Sequence, residues 1–198
     1  MTFVPLRSGG FLLLTHHFMP TERQIVDASG FTRTINRLAH EIVERHRGAG
    51  TIGIVGIRTR GDYLARRIAA KIAEMENVEV PIGTLDITLY RDDLRGRLSQ
   101  PQLKTTDILY DIAGKNIILI DDVLYTGRTV RSALNALMDI GRPATVELAV
   151  FVDRGHRELP IKADFVGKNI PTMLNEEVKV MMKEVDSQDA VFVVQQTQ

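Results

Sequence analysis

The sequence predicts an α/β fold: a mostly parallel central sheet flanked by helices. Three observations predict it. Apolar runs alternate with helical patterns along the chain. Thr51 to Ile57 (TIGIVGI), Asn116 to Ile120 and Val146 to Val152 read as buried strands. Glycine and proline fall between the periodic segments, where helices must stop.

The elements follow in chain order. Gln24 to Val26 reads as a short first strand, and Asp27 then suits a helix N-cap. In the helix after it, Phe31, Ile35, Leu38, Ile42 and Val43 recur at helical spacing, and Gly48 and Gly50 stop it. After the strand to Ile57, a second helix carries Leu64, Ile68, Ile72 and Met75 on one face. Val78 to Tyr90 reads as a strand interrupted by Pro81 and Gly83. Arg91 to Asp107 is charged, holds Gly and Pro and lacks an apolar period, which predicts a mobile functional loop. The strand Asn116 to Ile120 precedes a helix with Val130, Leu134, Leu137 and Met138, closed by Gly141 and Pro143. Beyond Asp153 the pattern is irregular, with short strands expected at Val178 to Met182 and Val191 to Val194.

The 198 residues suffice for one well-packed domain. Lys and Arg number 25 against 25 Asp and Glu, and 44% of residues are hydrophobic, which excludes a disordered chain. Zero net charge also excludes wholesale electrostatic binding to nucleic acid, so any such contact needs a local basic patch. No cysteine is present, hence no disulfide framework, thiolate metal site or cysteine nucleophile, and a cytoplasmic location is expected. Phe11 to Leu14 is too short for a signal-peptide core, and no stretch approaches a membrane span. Residues 1–18 are expected to be a disordered extension ahead of a domain at 19–198, with Met19 a candidate start.

Chemistry concentrates in Asn116 to Arg131, NIILIDDVLYTGRTVR. A buried strand delivers Asp121 and Asp122 at its C-terminal end, where open α/β sheets bind ligands. Thr126-Gly127-Arg128-Thr129 then opens a helix, whose unpaired N–H groups and dipole favour an anion. The spacing is neither that of a Walker P-loop nor that of a dinucleotide fingerprint. Carboxylates ahead of an anion cradle suit a ribose 5-phosphate, hydroxyls at one end and phosphate at the other. Gly56 to Gly61 is a second strand-to-helix anion site, with Arg58, Thr59 and Arg60.

The run IILIDDVLYTGRT resembles the phosphoribosyl-diphosphate (PRPP) motif of type I phosphoribosyltransferases. It is similar, more narrowly, to the PyrR family, pyrimidine operon attenuation regulators that also have uracil phosphoribosyltransferase activity. VGIRTRG (Val55 to Gly61), LDITLYRDDL (Leu85 to Leu94) and VDRGHRELPIKADFVGKNIPT (Val152 to Thr172) resemble the same family. The likeness runs from about Arg23 to about Asp189, and residues 1–18 match nothing in it.

The resemblance implies a type I phosphoribosyltransferase fold with a flexible loop at about 91–107 and a small hood at about 153–182. It implies that uracil and PRPP give UMP and diphosphate. Asp121, Asp122 and Arg60 would be catalytic. Val123, Leu124, Tyr125, Thr126, Gly127, Arg128 and Thr129 would complete the sugar-phosphate site, with Thr59, Arg60 and Arg91 on the diphosphate, Arg154 beside the base and Val178 near its edge. An unusual backbone geometry is implied in the Gly56 to Gly61 loop. Mg²⁺ would be bound mainly through PRPP, so no protein metal ligand is assigned. His156 is left as a structural or RNA-facing residue. The family further implies UMP-dependent binding of a pyrimidine-operon mRNA leader, with Arg37, His40, Lys162 and Lys168 as candidates, although family members commonly have threonine where this chain has Asn36. A homo-oligomer, dimer or higher, is expected. Two alternatives stay open: a phosphoribosyltransferase without the RNA role, acting on uracil or on another base such as hypoxanthine, and an RNA-binding regulator with vestigial catalysis.

Overall fold

The computed structural model describes residues 22–87 and 106–195. The expectations for residues 1–18, Met19 and most of the 91–107 loop lie outside them. The described chain forms a parallel sheet, three long helices and a separate antiparallel sheet.

The parallel sheet has five strands: β2 (Ile52–Ile57), β3 (Ile82–Leu85), β4 (Asn116–Leu124), β5 (Thr145–Asp153) and β6 (Phe165–Asn169), in spatial order β3-β2-β4-β5-β6. Helix α1 spans Ala28–His46, α2 Arg60–Glu76 and α3 Arg128–Ile140. Period-two alternation explains the apolar runs. Ile118 and Ile120 join the core beneath α1 and α2, while Ile117 and Leu119 join the core beneath α3. The helices after β2 and β4 therefore leave on opposite faces, and the crevice between those strands is the topological switch point.

Local chemistry sets the helix ends. Asp27 caps α1, its carboxylate accepting from Gly30 N at 2.7 Å. Arg47 takes the left-handed position after α1, at φ 54°, rather than the glycine beside it. In α3 the buried positions go to Ala133 and Ala136 as well as Val130 and Leu137, and Met138 is 52% exposed.

The third strand is shorter than the Val78 to Tyr90 run suggests, beginning only after Pro81. Proline has no N–H for the ladder, although its carbonyl accepts from Ile54 N at 2.9 Å. Residues 88–90 lie outside the described range. Strand β6 was not expected from sequence. Its run FVGKN is half polar and holds a glycine, as an edge strand can afford. Gly167 allows α1 to press close, since a Cβ there would meet Phe151 O at 2.4 Å and Thr34 Cγ2 at 2.7 Å.

The second sheet is antiparallel, in order β1-β8-β7, from β1 (Glu22–Val26), β7 (Glu176–Met181) and β8 (Ala190–Gln195). It shares the α1–α2 core: Val178, Val180, Met182, Val191 and Val193 join Phe31, Ile68 and Phe151 there. The segment 153–182 thus divides, giving β6 to the parallel sheet and β7 to the antiparallel one.

A short helix, α4 (Lys183–Asp186), joins β7 to β8 and ties the antiparallel sheet to α2 by charge. Arg67 donates to Glu184 at 2.9 and 2.6 Å and to Asp189 at 2.8 Å, and its guanidinium lies 5.4 Å from the Phe31 ring centre. Arg60 donates to both carboxylate oxygens of Asp186, at 3.0 and 3.3 Å. Residues 60 and 67 lie two turns apart on one face of α2. Hydrogen bonding by Arg67 holds Glu184 below the usual carboxylate range. Burial raises Asp189, but Arg67 and the Lys183 amide outweigh it and hold the carboxyl low.

Two expectations follow for stability. Carboxyls held low in the fold stabilise it above their unfolded pKa, and that contribution is lost as pH falls through the folded value. Arg67→Ala is therefore expected to lower Tm at pH 7, with the gap to the parent closing as acid protonates Glu184 and Asp189. A Cβ at Gly61 would sit 2.4 Å from Ile120 O, so Gly61→Ala must displace α2 from β4. Urea unfolding should show a loss of about 1–3 kcal/mol. Gly50→Ala is the control, since nothing lies within 4 Å of its Cβ position.

Candidate active site

Strand β4 runs on through Asp121 and Asp122 to Leu124 in register with β5, pairing Asp121 with Val150 and Leu124 with Asp153. Alternation turns the two carboxylates to opposite faces. Asp121 is buried and lines a pocket of about 290 Å³ with Tyr125, Thr126, Gly127 and Thr129. Asp122 is half-buried and lies within electrostatic range of Arg60. Burial pushes the Asp122 carboxyl above the usual range, against the Arg60 charge and a hydrogen bond with Asp121.

The turn after β4 has the form of an anion cradle. Gly127 caps α3 at φ 91°, a conformation that favours glycine, and a Cβ there would come within 3.3 Å of Ile161. Residues 127–130 at the start of α3 line the pocket, with Arg128 N donating to Thr126 Oγ1 at 3.3 Å. The turn is held from behind by its carbonyls. Glu158 N and Leu159 N donate to Thr126 O at 3.0 and 3.1 Å, and Arg154 N donates to Leu124 O at 3.1 Å.

The turn after β2 flanks the other side of the crevice. Its Arg58–Thr59 peptide bond is cis, the unusual geometry expected there. Thr59 is exposed at the N-cap of α2 and makes no side-chain capping bond. Arg58 Nε and Arg60 Nε are buried with no hydrogen-bond partner, which leaves donors for an anion. Gly56 and Gly61 let the turn close on the sheet, since a Cβ on Gly56 would meet Gly61 O at 2.5 Å.

The remaining expected residues divide. Arg154 is buried. It donates to Thr172 Oγ1 at 3.1 Å and to the carbonyls of Glu176 and Met173, and its guanidinium lies 4.1 Å from the Tyr125 ring centre. It thus joins the antiparallel-sheet segment to the turn after β4. His156 packs edge-on against Tyr125 at 6.1 Å and bonds Thr172 O through Nε2 at 2.6 Å. The Val178 side chain is buried in the shared core. Arg91 lies outside the described residues.

Arg157 was missed by sequence reasoning. Its guanidinium donates to Tyr125 O at 2.8 Å, Gly155 O at 3.1 Å, Ile161 O at 3.0 Å and Asp153 Oδ2 at 2.5 Å. The only signal was a third basic residue in the run Arg154-Gly155-His156-Arg157. Asp186 was missed as well, since it lies 64 residues beyond Asp122 in an unremarkable acidic stretch.

The candidate RNA residues lie apart from this crevice. Arg37 and Lys168 line a groove of about 710 Å³ with Gln24, Asp27, Arg33 and Gly167. Arg37 spends donors on Val166 O, Gly167 O and Glu41, tying α1 to β6. His40 is exposed and shares a 2.7 Å bond with Asn36 O, and Lys162 is exposed. Neither His40 nor Lys162 is among the groove-lining residues.

Among the described residues, no helix is long and apolar enough to cross a membrane, and no cluster of three or more metal-ligating side chains forms. The carboxylates of Asp121 and Asp122 are hard oxygen donors of the kind a divalent cation takes, directly or through water.

Comparison with known proteins agrees with this geometry. The phosphoribosyl transferase domain model matches residues 22–185. A "Bifunctional protein PyrR" of Roseiflexus sp. (strain RS-1) is 57% identical, covering 89% of this chain and 97% of its own. Proteins of the same name from Pelotomaculum thermopropionicum and Deinococcus radiodurans are 52% and 56% identical, covering 87% and 84% of this chain and 95% and 91% of their own. The hypoxanthine phosphoribosyltransferase of Trypanosoma cruzi, solved with its product IMP, shares the fold at a TM-score of 0.64 and 17% identity, over 87% of this chain and 89% of that one. On these matches and this crevice, the chain belongs to the PyrR family of phosphoribosyltransferases.

Proposed function

We propose that the chain transfers the 5-phosphoribosyl group of PRPP to uracil, giving UMP and diphosphate, and that it also binds a pyrimidine-operon mRNA leader when UMP is present. The observation that carries the first half is the crevice itself. A glycine-capped helix start, two consecutive carboxylates at the end of β4 and buried unpaired arginine nitrogens stand together at one switch point.

In this reading the 5-phosphate sits on the N–H groups of the Tyr125 to Thr129 turn. Asp121 and Asp122 accept from the ribose hydroxyls and favour the positive charge that develops at the anomeric carbon. Uracil N1 attacks that carbon, the bond to diphosphate breaks, and the N1 proton is lost. Thr59 and Arg60 hold the leaving diphosphate, with Arg91 reaching it from its loop. Mg²⁺, bound through PRPP oxygens, supplies further neutralisation of the leaving group. Arg154, with Tyr125 beneath it, and Val178 border the base.

Labelled uracil, PRPP and Mg²⁺ test this directly, comparing the parent with Asp122→Asn. The parent should form UMP, and the variant should lose about 10²-fold or more in kcat. Parent turnover of hypoxanthine but not uracil would replace the base assignment. The same variant carries a stability expectation. A carboxyl raised in the fold destabilises it once pH exceeds the unfolded pKa, and the penalty vanishes below that value. Asp122→Asn should therefore melt no lower than the parent at pH 7, and any gain should shrink in acid. Lower turnover with equal or higher Tm separates a chemical role from a structural one.

The RNA half rests on Arg37 and Lys168 sharing the groove beside β6, with His40 and Lys162 as outlying candidates. Lys168 is exposed, so its charge is free to meet a phosphate. Lys168→Gln is expected to weaken leader-RNA binding and to reduce the slope of log K against log salt by about one. An unchanged slope would remove Lys168 from the RNA face.

A further inference from the structure

Arg60 stands between two carboxylates of different origin. Asp122 belongs to the central strand and to the site. Asp186 belongs to α4, far along the chain and outside the site. Among the described ion pairs, Arg60 pairs with Asp186, at 3.0 Å, and not with Asp122. Asp186 is itself fixed, because its Oδ2 accepts from Met182 N at 2.9 Å and its own N–H donates to Met182 O at 2.6 Å. Its side chain is 15% exposed, against 34% for Arg60. The acceptor is therefore fixed by backbone, and the more exposed arginine is held by it.

We infer that Asp186 is a positioning residue for the transfer reaction: it holds the Arg60 guanidinium at the edge of the crevice, turned to a leaving diphosphate and kept off Asp122. This rests on the reading of Arg60 as a diphosphate donor. The physical argument is a competition. An arginine beside a half-buried carboxylate gains charge-assisted hydrogen bonds by closing on it. That closure would remove the donor from diphosphate and the acceptor from ribose in one step. A second carboxylate, anchored by backbone and placed outside the crevice, takes one edge of the guanidinium and leaves Nε unspent, as observed. Arg67 performs no such duty. Its bonds to Glu184 and Asp189 attach the same short helix to α2, away from Arg60.

That difference supplies the control. Asp186→Asn is nearly isosteric and keeps an oxygen for the Met182 amide, but removes the charge that holds Arg60. Glu184→Gln weakens the attachment of α4 without touching Arg60. Steady-state kinetics with PRPP and uracil are measured for parent and variants, alongside Tm. Asp186→Asn is expected to raise KM for PRPP about tenfold, the scale of one charge-assisted hydrogen bond, with KM for uracil changed by less than about twofold. Asp186→Glu should recover part of the loss. Glu184→Gln should lower Tm and leave KM for PRPP at the parent value. Equal rises in KM for both variants would overturn the inference, because attachment alone would then explain them. An unchanged KM for PRPP in Asp186→Asn would overturn it too. Should Asp186→Asn fail to fold, Asp186→Ser decides, since it too removes the charge while keeping an oxygen: a raised KM for PRPP supports the inference and an unchanged one refutes it. Parent turnover reports separately on the proposed reaction, so failure of that reading is distinguishable from failure of this one.

Discussion

The alternation of side chains along β4 is the constraint on which the rest of the structure depends. A strand buried on both faces must be apolar on both, and Ile117 to Ile120 meets that demand. The next two residues inherit the same alternation. Asp121 therefore falls on the α3 side with the turn after β4, and Asp122 on the α2 side with Arg60. One strand thus serves two loops. The loops can be so served because β2 and β4 are neighbours whose helices leave in opposite directions. Shifting β4 by one residue would exchange the two carboxylates and bury an aspartate under the wrong helix.

The antiparallel sheet is bound to this arrangement in two ways that answer different needs. Its apolar side continues the α1–α2 core, which is non-directional and supplies most of the adhesion. Its charged side meets α2 through Arg60 and Arg67, which fix where α4 sits along the helix. Exposed ion pairs add little free energy, but these are partly buried and two of the acceptors also hold backbone amides. Their contribution is chiefly to register.

Much of this was legible in sequence, and the misses have physical reasons. The helical periods of Phe31 to Val43 and Leu64 to Met75 and the buried runs of β2, β4 and β5 were readable because each segment agrees with its own local pattern. Asp27 announced its cap, and the IDDVLYTGRT run announced the crevice. Strand β6 was not readable, because Gly167, Lys168 and Asn169 carry no apolar period and the strand is set by Gly167 packing on Phe151. Pro81, readable as an interruption of the Val78 to Tyr90 run, sets the start of β3 by lacking a ladder donor. Arg157 and Asp186 were invisible for a different reason. Each acts on a partner distant in sequence, and a charged residue on a polar stretch has the same local signature whether solvated or spent.

The turn after β4 shows why the unseen arginine matters to the seen motif. A backbone that binds an anion must keep its N–H groups open and still be held rigid. The turn satisfies both by being fixed through its acceptors. Leu124 O accepts from Arg154 N, Tyr125 O from Arg157, Thr126 O from Glu158 N and Leu159 N, and Gly127 O from Arg131 N. Four consecutive carbonyls are thus engaged, mostly by the segment that follows β5. The positive charge of Arg157 is placed where those carbonyl dipoles would otherwise repel an anion. The motif supplies the donors, and the segment after β5 supplies the rigidity. That division of labour explains why the Val152 to Thr172 run carries so many charged residues yet forms no long helix: its donors are committed to another loop's backbone rather than to its own.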